Sequence, residues 1–337
     1  MLYGLSLTLT PAPAAEPAIP LADWLPMPFG LIPWGEGVFL ALRQPEDYGA
    51  AAGAIAAQIL AGGTVAWGEG VYRVRGLERE AKPLQMIRVE LQGERPFPKE
   101  IGRACQALVL DWFKRADPAL AQRLHDQSPC PWRLYPRLEG DRRLYLEIGL
   151  LQGELLAPLL WGLGQQWGER LMLTKVACQV VGVERLRRCS WEELMDLAGG
   201  ESLGLRFISP TSFKQEGGIQ PFPLPELVFG GLLRRWNHWS PLEWHLPPVV
   251  WGGRVAAYEL KTVPLFLHGL TEIGAVGWVR YEFPAGEMGA IALRLARFGE
   301  FAGVGRKTGW GMGHVCVDVS GGKGGDRSRP KVLRLYG

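Results

Sequence analysis

From residue 84 onward, strand-like and helical patterns follow one another in an order that admits few folds. Six segments read β-α-β-β-α-β, with an additional helix over 117–125 after the first helix. The segments are 85–91, 98–116, 132–138, 142–151, 153–163 and 174–186. The first alternates as a strand, and the second places apolar side chains at helical spacing. This order predicts a ferredoxin-like unit, in which two βαβ halves share one sheet.

The same order returns after residue 204. Its segments are a strand over 205–210, a helix over 225–239, two long hairpin strands over 254–266 and 273–283, a helix over 288–301 and a strand over 314–320. The sequence therefore predicts an α+β chain with two tandem ferredoxin-like (RRM-like) domains. We place the first domain over 84–190 and the second over 200–320.

Residues 1–83 precede these domains as an N-terminal extension whose role the sequence does not indicate. Its pattern predicts a small α+β unit, with the proline-rich stretch 11–33 as loop and a helix that begins after Pro45 and ends at Gly62. No motif that carries chemistry occurs in this stretch of sequence. At the other end, 321–337 form a basic tail with five basic residues and one acidic residue.

Charge and cysteine content exclude several classes of protein. The net charge is only +3, so binding to nucleic acid has to come from a local basic surface. The five cysteines form no C-x-x-C pair and are odd in number, which argues against a disulfide framework or a structural zinc site. The first residues lack the basic segment of a secretory signal. We expect a cytoplasmic protein with no membrane partner, no metal and no cofactor.

The segment 301–315, FAGVGRKTGWGMGHV, carries the strongest functional signal. Arg306 and Lys307 lie among five glycines, which are Gly303, Gly305, Gly309, Gly311 and Gly313. A P-loop would need glycine in place of the arginine, and a Rossmann loop would run from strand to helix, the reverse of the order here. The pattern favours a loop whose amides and two cations hold a phosphodiester backbone, because glycine permits close approach. An ordinary glycine turn is the alternative.

At these residues the chain resembles the CRISPR repeat-processing endoribonucleases of the RAMP (repeat-associated mysterious protein) superfamily. The segment 303–315 is similar to their C-terminal glycine-rich loop. Segments 205–215 and 223–241 resemble the opening strand and the following helix of their second ferredoxin-like domain. The segment 101–126 resembles the first helix region of their first domain. The resemblance covers about 84–320 and leaves the N-terminal extension outside.

This resemblance implies a protein that binds CRISPR repeat RNA and processes precursor crRNA without a metal ion. In that reaction the ribose 2′-OH attacks the adjacent phosphate and leaves a 2′,3′-cyclic phosphate and a 5′-OH end. Many relatives carry G-R-x-L-H in the first helix, and their histidine transfers a proton during cleavage. Here Gln106 occupies that position, and an amide cannot exchange a proton near neutral pH.

Two further residues are candidates for catalysis. Arg103 lies three residues before Gln106 on about the same helix face, from which it would stabilise the phosphorane charge. His125, at the end of the second helix, is the next candidate for proton transfer. The alternatives are a solvated surface arginine and a surface or capping histidine.

Additional basic residues are candidates for contacts to RNA. Lys214 follows the Ser-Pro-Thr turn of the second domain, where it would touch backbone phosphate. Arg234 and Arg235 belong to the run LLRRWNHW, whose aromatic and basic residues resemble an RNA-stacking surface. On a helix, however, Trp236 and Trp239 fall at core spacing, so we expect the tryptophans to pack and assign RNA contact only to the two arginines.

Two rival functions remain open from the sequence. The first alternative follows from the replacement of the histidine by Gln106. In this alternative the chain is a catalytically inactive crRNA-binding subunit of a CRISPR effector complex. In that case the N-terminal extension would dock on other effector subunits. The remoter alternative is an RNA-binding protein unconnected with CRISPR, since this fold hosts many functions.

Overall fold

A computed structural model of the chain describes residues 4–13, 17–25, 27–34, 37–67, 70–267 and 270–318. Within these ranges the strands form three sheets of four to six strands and one two-stranded ribbon. None of the helices in these ranges is long and apolar enough to cross a membrane. No three His, Cys, Asp or Glu side chains of the same residues are grouped as metal ligands would be. The predicted basic tail, 321–337, lies outside the described residues.

The first sheet is formed by the N-terminal extension. Its elements are β1 (Gly4–Pro11), β2 (Ile19–Pro20), β3 (Phe29–Trp34), β4 (Gly37–Leu42), helix α1 (Tyr48–Leu60), β5 (Thr64–Trp67) and β6 (Gly70–Glu80). The strand order is β2-β5-β6-β1-β4-β3. In β1, Leu5, Leu7 and Leu9 are buried and alternate with more exposed residues, as the side-chain period of a strand requires.

The proline-rich stretch 11–33 is not loop throughout, which corrects the expectation from sequence. The strand β3 begins at Phe29 and includes Pro33. It is the last strand of the sheet, beside β4. An edge strand accommodates proline, because the position without an N–H can face away from the neighbouring strand. Proline content therefore marked the edge of a sheet here as well as a loop.

The second sheet and its helices have the ferredoxin-like arrangement. The elements are β7 (Leu84–Gly93), α2 (Gly102–Ala116), α3 (Pro118–Asp126), β8 (Trp132–Glu139), β9 (Arg143–Leu150), α4 (Leu156–Gly164), β10 (Leu171–Leu173) and β11 (Val176–Cys189). The order β10-β11-β7-β9-β8 is antiparallel at every pairing. Helix α2 buries Cys105, Val109, Trp112 and Phe113 against the sheet and α4, which explains its apolar spacing.

The third sheet repeats this arrangement after the short helix α5 (Trp191–Met195). The elements are β12 (Ser202–Thr211), the ribbon β13 (Phe213–Gln215) and β14 (Gly218–Gln220), α6 (Pro225–Trp239), β15 (Arg254–Leu267), β16 (Leu270–Glu282), α7 (Glu287–Ala302) and β17 (Val315–Asp318). The strand order is β15-β16-β12-β17. Phe229, Trp236 and Phe298 are fully buried between the two helices and the sheet. The predicted fold class, two tandem ferredoxin-like units in an α+β chain, is confirmed.

The N-terminal extension packs directly on the first ferredoxin-like unit. Ile32 and Trp34 of β3 lie in the same apolar core as α2 and α4. At the end of β6, Glu80 is 1% exposed and accepts hydrogen bonds from Arg185 and Arg188 of β11, at 3.0 and 2.9 Å. A buried carboxylate needs such partners, because its desolvation is otherwise very unfavourable. Apolar and ionic contacts thus hold the extension in one orientation.

A buried arginine joins the two ferredoxin-like units. Arg133 of β8 is 1% exposed, and its Nε donates to the carbonyl oxygen of Glu300 in α7 at 2.9 Å. The Glu300 side chain in turn forms an ion pair with Arg187 of β11. Because Arg133 and Glu300 belong to different units and are both buried, they fix how α7 lies against the first sheet. The loop that follows α7 is thereby positioned over the first unit.

Candidate functional site

The glycine-rich loop, residues 303–314, runs from α7 back to β17 and folds tightly on itself. Gly305 has a φ of +79° and Gly313 a φ of +74°, a conformation that favours glycine. A Cβ atom at Gly305 would lie 2.3 Å from the carbonyl oxygen of Ser212, and one at Gly313 would lie 2.1 Å from that of Val304. These two glycines are therefore required by the close packing of the loop, whatever it binds.

Several amides of the glycine-rich loop are engaged within the protein. Each of these amides donates to a backbone carbonyl oxygen: Val304 to Gly313 (2.8 Å), Arg306 to Ser212 (3.0 Å), Trp310 and Met312 to Lys307 (2.9 and 3.4 Å), and Gly313 to Pro210 (3.1 Å). These five N–H groups are not free for a phosphate. The sequence-based expectation of a loop lined by exposed amides is therefore too broad, and the side chains have to supply more of the attraction.

Both cations of the loop face a carboxylate that the sequence did not single out. Arg306 Nη1 lies 3.2 Å from Glu272 Oε2, and the Lys307 ammonium contacts Glu272 Oε1. The hydrogen bond from Lys307, together with the charges of both cations, lowers the pKa of Glu272 below its usual value. The three side chains are partly exposed, with exposed fractions of 30, 17 and 12% for Arg306, Lys307 and Glu272. The pair of cations thus has a counter-ion of its own.

Trp310 connects the loop to α2 of the first unit. The Arg103 guanidinium lies 5.3 Å from the centre of its ring, and the Lys307 ammonium lies 4.7 Å from it. Both distances are within the range of cation–π attraction. At the start of α2, a Cβ at Gly102 would lie 2.2 Å from the Trp310 carbonyl oxygen, so helix and loop are in close contact there. No sequence pattern had assigned a role to Trp310, although an aromatic residue among loop glycines was a usable signal.

Gln106 lies at the same contact, one turn further along α2. A Cβ at Gly309 would be 3.7 Å from Gln106 Nε2, and about as far from Cys130 and Trp132. Burial raises the pKa of the Cys130 thiol, so this neighbour is protonated near neutral pH. The structure thus brings Arg103 and Gln106 to the glycine-rich loop, where Gly309 also faces a thiol that does not titrate near neutrality.

The other sequence-predicted residues are more scattered. Lys214 is exposed on β13, two residues after Ser212, whose carbonyl oxygen accepts the Arg306 amide. Lys214 is therefore two residues along the chain from a backbone contact with the loop. His125 is exposed in the last turn of α3, and no hydrogen bond, ion pair or ring contact among the described residues joins it to Gln106 or to the loop.

The two neighbouring arginines of α6 have different surroundings. Arg234 is exposed, as an RNA contact requires. Arg235 instead donates to the carbonyl oxygens of Ala302 (2.6 Å), Gly303 (3.2 Å) and Cys130 (3.1 Å). Burial lowers its pKa to about 10. The expectation that Arg235 faces RNA does not agree with this geometry, in which it ties the start of the loop to the first unit. Trp236 is fully buried, as its spacing predicts.

Comparison with known proteins agrees with the fold and with the loop. The sequence model of the family described as CRISPR-associated endoribonuclease Cas6 matches residues 205–315, which include the glycine-rich loop. A structure described as a Cas6 product complex is 27% identical, with a TM-score of 0.63 over 69% of this chain and 99% of that protein. Cas6 of Thermus thermophilus is 26% identical, with a TM-score of 0.55 over 70% of this chain and 99% of its own.

A Cas6 in complex with a substrate mimic gives a similar result. It is 25% identical, with a TM-score of 0.55 over 71% of this chain and all of that protein. No curated protein matches the chain. The resemblance to the CRISPR repeat-processing family is thereby confirmed. These structures leave about 30% of this chain uncovered, which is about the combined length of the N-terminal extension and the C-terminal tail.

Proposed function

We propose, from the premise that this chain is a Cas6-like protein, that it binds CRISPR repeat RNA and cleaves it at the contact between α2 and the glycine-rich loop. One observation carries the proposal. The structure brings Arg103 and Gln106 of the first ferredoxin-like unit against the loop of the second unit, where Arg103 and Lys307 both contact the Trp310 ring and Gln106 faces Gly309. RNA that lies along the loop would pass directly over the start of α2. The matching family is described as an endoribonuclease, and similar structures are described as product and substrate-mimic complexes, which supports RNA as the ligand.

The proposed reaction is a transesterification within the RNA. The 2′-oxygen forms a bond to the adjacent phosphorus as the bond to the 5′-oxygen breaks, giving a 2′,3′-cyclic phosphate and a 5′-OH end. The 2′-OH proton leaves to solvent, and the departing 5′-oxygen takes one up. Arg103 would stabilise the negative charge of the phosphorane, and Gln106 would orient the phosphate by hydrogen bonds. Arg306, Lys307 and Lys214 would hold neighbouring phosphates.

The chemistry at Gln106 limits the expected rate. Acid–base help is typically worth about 10²–10⁴-fold, and an amide supplies none of it. The neighbouring Cys130 thiol does not compensate, because burial raises its pKa. We therefore expect slow cleavage that rests on positioning and on charge stabilisation by Arg103.

The same observation favours a second candidate function. A protein that binds RNA but has glutamine in place of the proton-transferring histidine would serve as a crRNA-binding subunit of a CRISPR effector complex. The N-terminal extension, held rigidly on the first unit by Glu80 and its arginine partners, would then dock on other subunits of that complex.

One experiment separates the two candidates. The purified protein is incubated with its repeat RNA in EDTA, and the product ends are identified on a gel. Cleavage to a cyclic phosphate, abolished by a single 2′-deoxy substitution before the cut, supports the enzyme. Tight binding without cleavage supports the subunit, and failure to bind the RNA contradicts both.

A further inference from the structure

Glu272 occupies an unusual place for an acidic residue in a protein that binds RNA. It lies near the start of β16, opposite Leu265 of β15, and its carboxylate faces the glycine-rich loop. One oxygen contacts the Lys307 ammonium, and the other lies 3.2 Å from the Arg306 guanidinium. The two loop cations predicted to hold a phosphate are thus already bridged by one anion.

The bridging arrangement is the one that a phosphodiester would adopt. A carboxylate and a phosphodiester each present two oxygens that share a single negative charge, and each oxygen accepts charge-assisted hydrogen bonds from arginine or lysine. The guanidinium and the ammonium take different oxygens of Glu272, so both donors converge on one anion. Nothing about this pair of donors favours carboxylate over phosphate.

The donors are held in place by the loop rather than by Glu272. Lys307 has a φ of +53°, uncommon for a residue with a side chain, and its carbonyl oxygen accepts the amides of Trp310 and Met312. The Arg306 amide donates to Ser212 at 3.0 Å. The backbone under both cations is therefore fixed by hydrogen bonds that do not involve Glu272, and exchange of the anion leaves the loop folded.

Mutual attraction of these three side chains does not by itself explain the arrangement. Glu272 is 12% exposed, and withdrawing a carboxylate from water offsets much of what it gains from its partners. The ion pairs of Glu272 with the two cations therefore contribute little to stability, yet they lower the attraction of these cations for any incoming anion. Their main effect falls on binding.

We propose that Glu272 is an internal surrogate for RNA phosphate, which neutralises Arg306 and Lys307 in the free protein and yields them to a phosphodiester when RNA binds. The inference rests on the proposed function, because RNA is the ligand that displaces the carboxylate. In consequence the loop binds RNA less tightly than its two cations allow, and RNA with too few other contacts is not retained.

The test compares affinities for a repeat RNA whose cleavage is blocked by a 2′-deoxy substitution. The proteins are the wild type, Glu272→Gln, Glu259→Gln, the double variant Arg306→Ala/Lys307→Ala, and the double variant combined with Glu272→Gln. Fluorescence anisotropy gives the Kd, and thermal unfolding shows that each protein is folded. Glu259 is the matched control, because it lies in the same pair of strands and its replacement removes the same charge away from the loop.

We expect Glu272→Gln to bind about two- to tenfold more tightly than the wild type, the range expected from releasing two partly exposed ion pairs. The Glu259→Gln variant changes the Kd less than twofold, and Glu272→Gln gains nothing when Arg306 and Lys307 are absent. If Glu272→Gln does not fold, Glu272→Asp, which withdraws the carboxylate and keeps its charge, gives a smaller gain.

Two kinds of result overturn the inference, and only one of them also overturns the proposed function. The surrogate role alone is overturned if the wild type binds the RNA and Glu272→Gln binds it no more tightly. It is also overturned if Glu272→Gln still increases the affinity when Arg306 and Lys307 are absent. Absence of RNA binding in all five proteins overturns the proposed function together with this inference.

Discussion

The guanidinium of Arg103 lies 5.3 Å from the centre of the Trp310 ring, and this contact joins the first ferredoxin-like unit to the loop of the second. Arg103 is exposed and comes from the first turn of α2, and its contact with the indole gives the side chain a preferred direction. A positioned cation stabilises developing charge better than a mobile one, since no reorganisation accompanies the reaction.

Replacing Arg103 with alanine should therefore lower the cleavage rate by about 10²–10³-fold, with a much smaller effect on binding. The matched control is Arg115→Ala, which removes an exposed arginine of the same helix that pairs with Asp111. Single-turnover kinetics with saturating protein separate the two effects. Equal cleavage rates for Arg103→Ala and Arg115→Ala would show that Arg103 has no role in the reaction.

Removal of the two loop cations should weaken RNA binding broadly. The slope of log K against log salt decreases by about 0.7–0.9 for every phosphate that the protein no longer neutralises. The double variant Arg306→Ala/Lys307→Ala therefore has a shallower salt dependence as well as a higher Kd. Arg254→Ala/Lys261→Ala, which removes two exposed cations of β15, is the control. An unchanged slope in the folded double variant would contradict a phosphate role for these side chains.

Arg234 and Arg235 show where sequence reasoning reaches its limit. Both are adjacent basic residues of one helix, and helical periodicity correctly assigns Trp236 to the core. Whether an arginine beside a core position faces solvent or a neighbouring unit depends on how the units pack, and a local pattern does not contain that information. The carbonyl oxygens that accept hydrogen bonds from Arg235 lie 67, 68 and 105 positions away in the chain.

The two neighbours should accordingly differ in their effect on stability. Alanine at Arg235 leaves several carbonyl oxygens without a donor and should lower the free energy of unfolding by about 2–5 kcal/mol. Alanine at Arg234 should change it by no more than about 0.5 kcal/mol. Urea denaturation of the two variants measures both values. Equal stability of the two variants would show that Arg235 does not tie the loop to the first unit.

The order of elements was predictable, whereas the partners of the site residues were not. Alternation and helical spacing identified the strands and helices of both ferredoxin-like units, because side-chain burial follows those periods. Glu272 carried no signal, since an acidic residue just before the predicted strand 273–283 is typical of an exposed turn. The sequence predicted the long hairpin of β15 and β16, but not the packing of that hairpin on the loop, which places Glu272 opposite Arg306 and Lys307.

A buried histidine at the interface of the two units predicts a dependence of stability on pH. His314 is stacked on Tyr135, with ring centres 4.2 Å apart, and its Nε2 lies 3.8 Å from Glu147. Burial, with a smaller contribution from Arg133, holds its pKa well below the usual value. In the unfolded chain the histidine titrates near pH 6.5. Below that pH the unfolded chain binds more protons than the folded one, so stability falls as the pH falls.

We expect this group to lower the free energy of unfolding by about 1–2 kcal/mol between pH 7 and pH 5. The His314→Gln variant should lack this part of the pH dependence. Denaturant unfolding of both proteins at several pH values measures the difference in slope. Parallel slopes would mean that His314 is protonated to the same extent in the folded and unfolded chains.

The replacement of the family histidine by Gln106 gives the most direct test of the proposed chemistry. Histidine at this position would offer a group with a pKa near 6.5, suited to proton transfer, at a point of α2 that already faces Gly309 of the loop. Gln106→His should therefore raise the cleavage rate, by up to about 10²–10⁴-fold, and introduce a pH dependence near neutrality. Gln106→Ala is the control for loss of the amide without gain of a base.

Rates measured in EDTA over pH 5 to 9, together with the Kd for uncleavable RNA, distinguish the outcomes. A wild-type protein that cuts rapidly and loses nothing in Gln106→Ala would place the active site elsewhere, with His125 as the next candidate despite its separation from the loop. A Gln106→His variant that binds the repeat RNA tightly and still fails to cut would favour the crRNA-binding subunit. In that case the contact between α2 and the loop would be a binding surface, and Arg103 would hold a phosphate without acting on it.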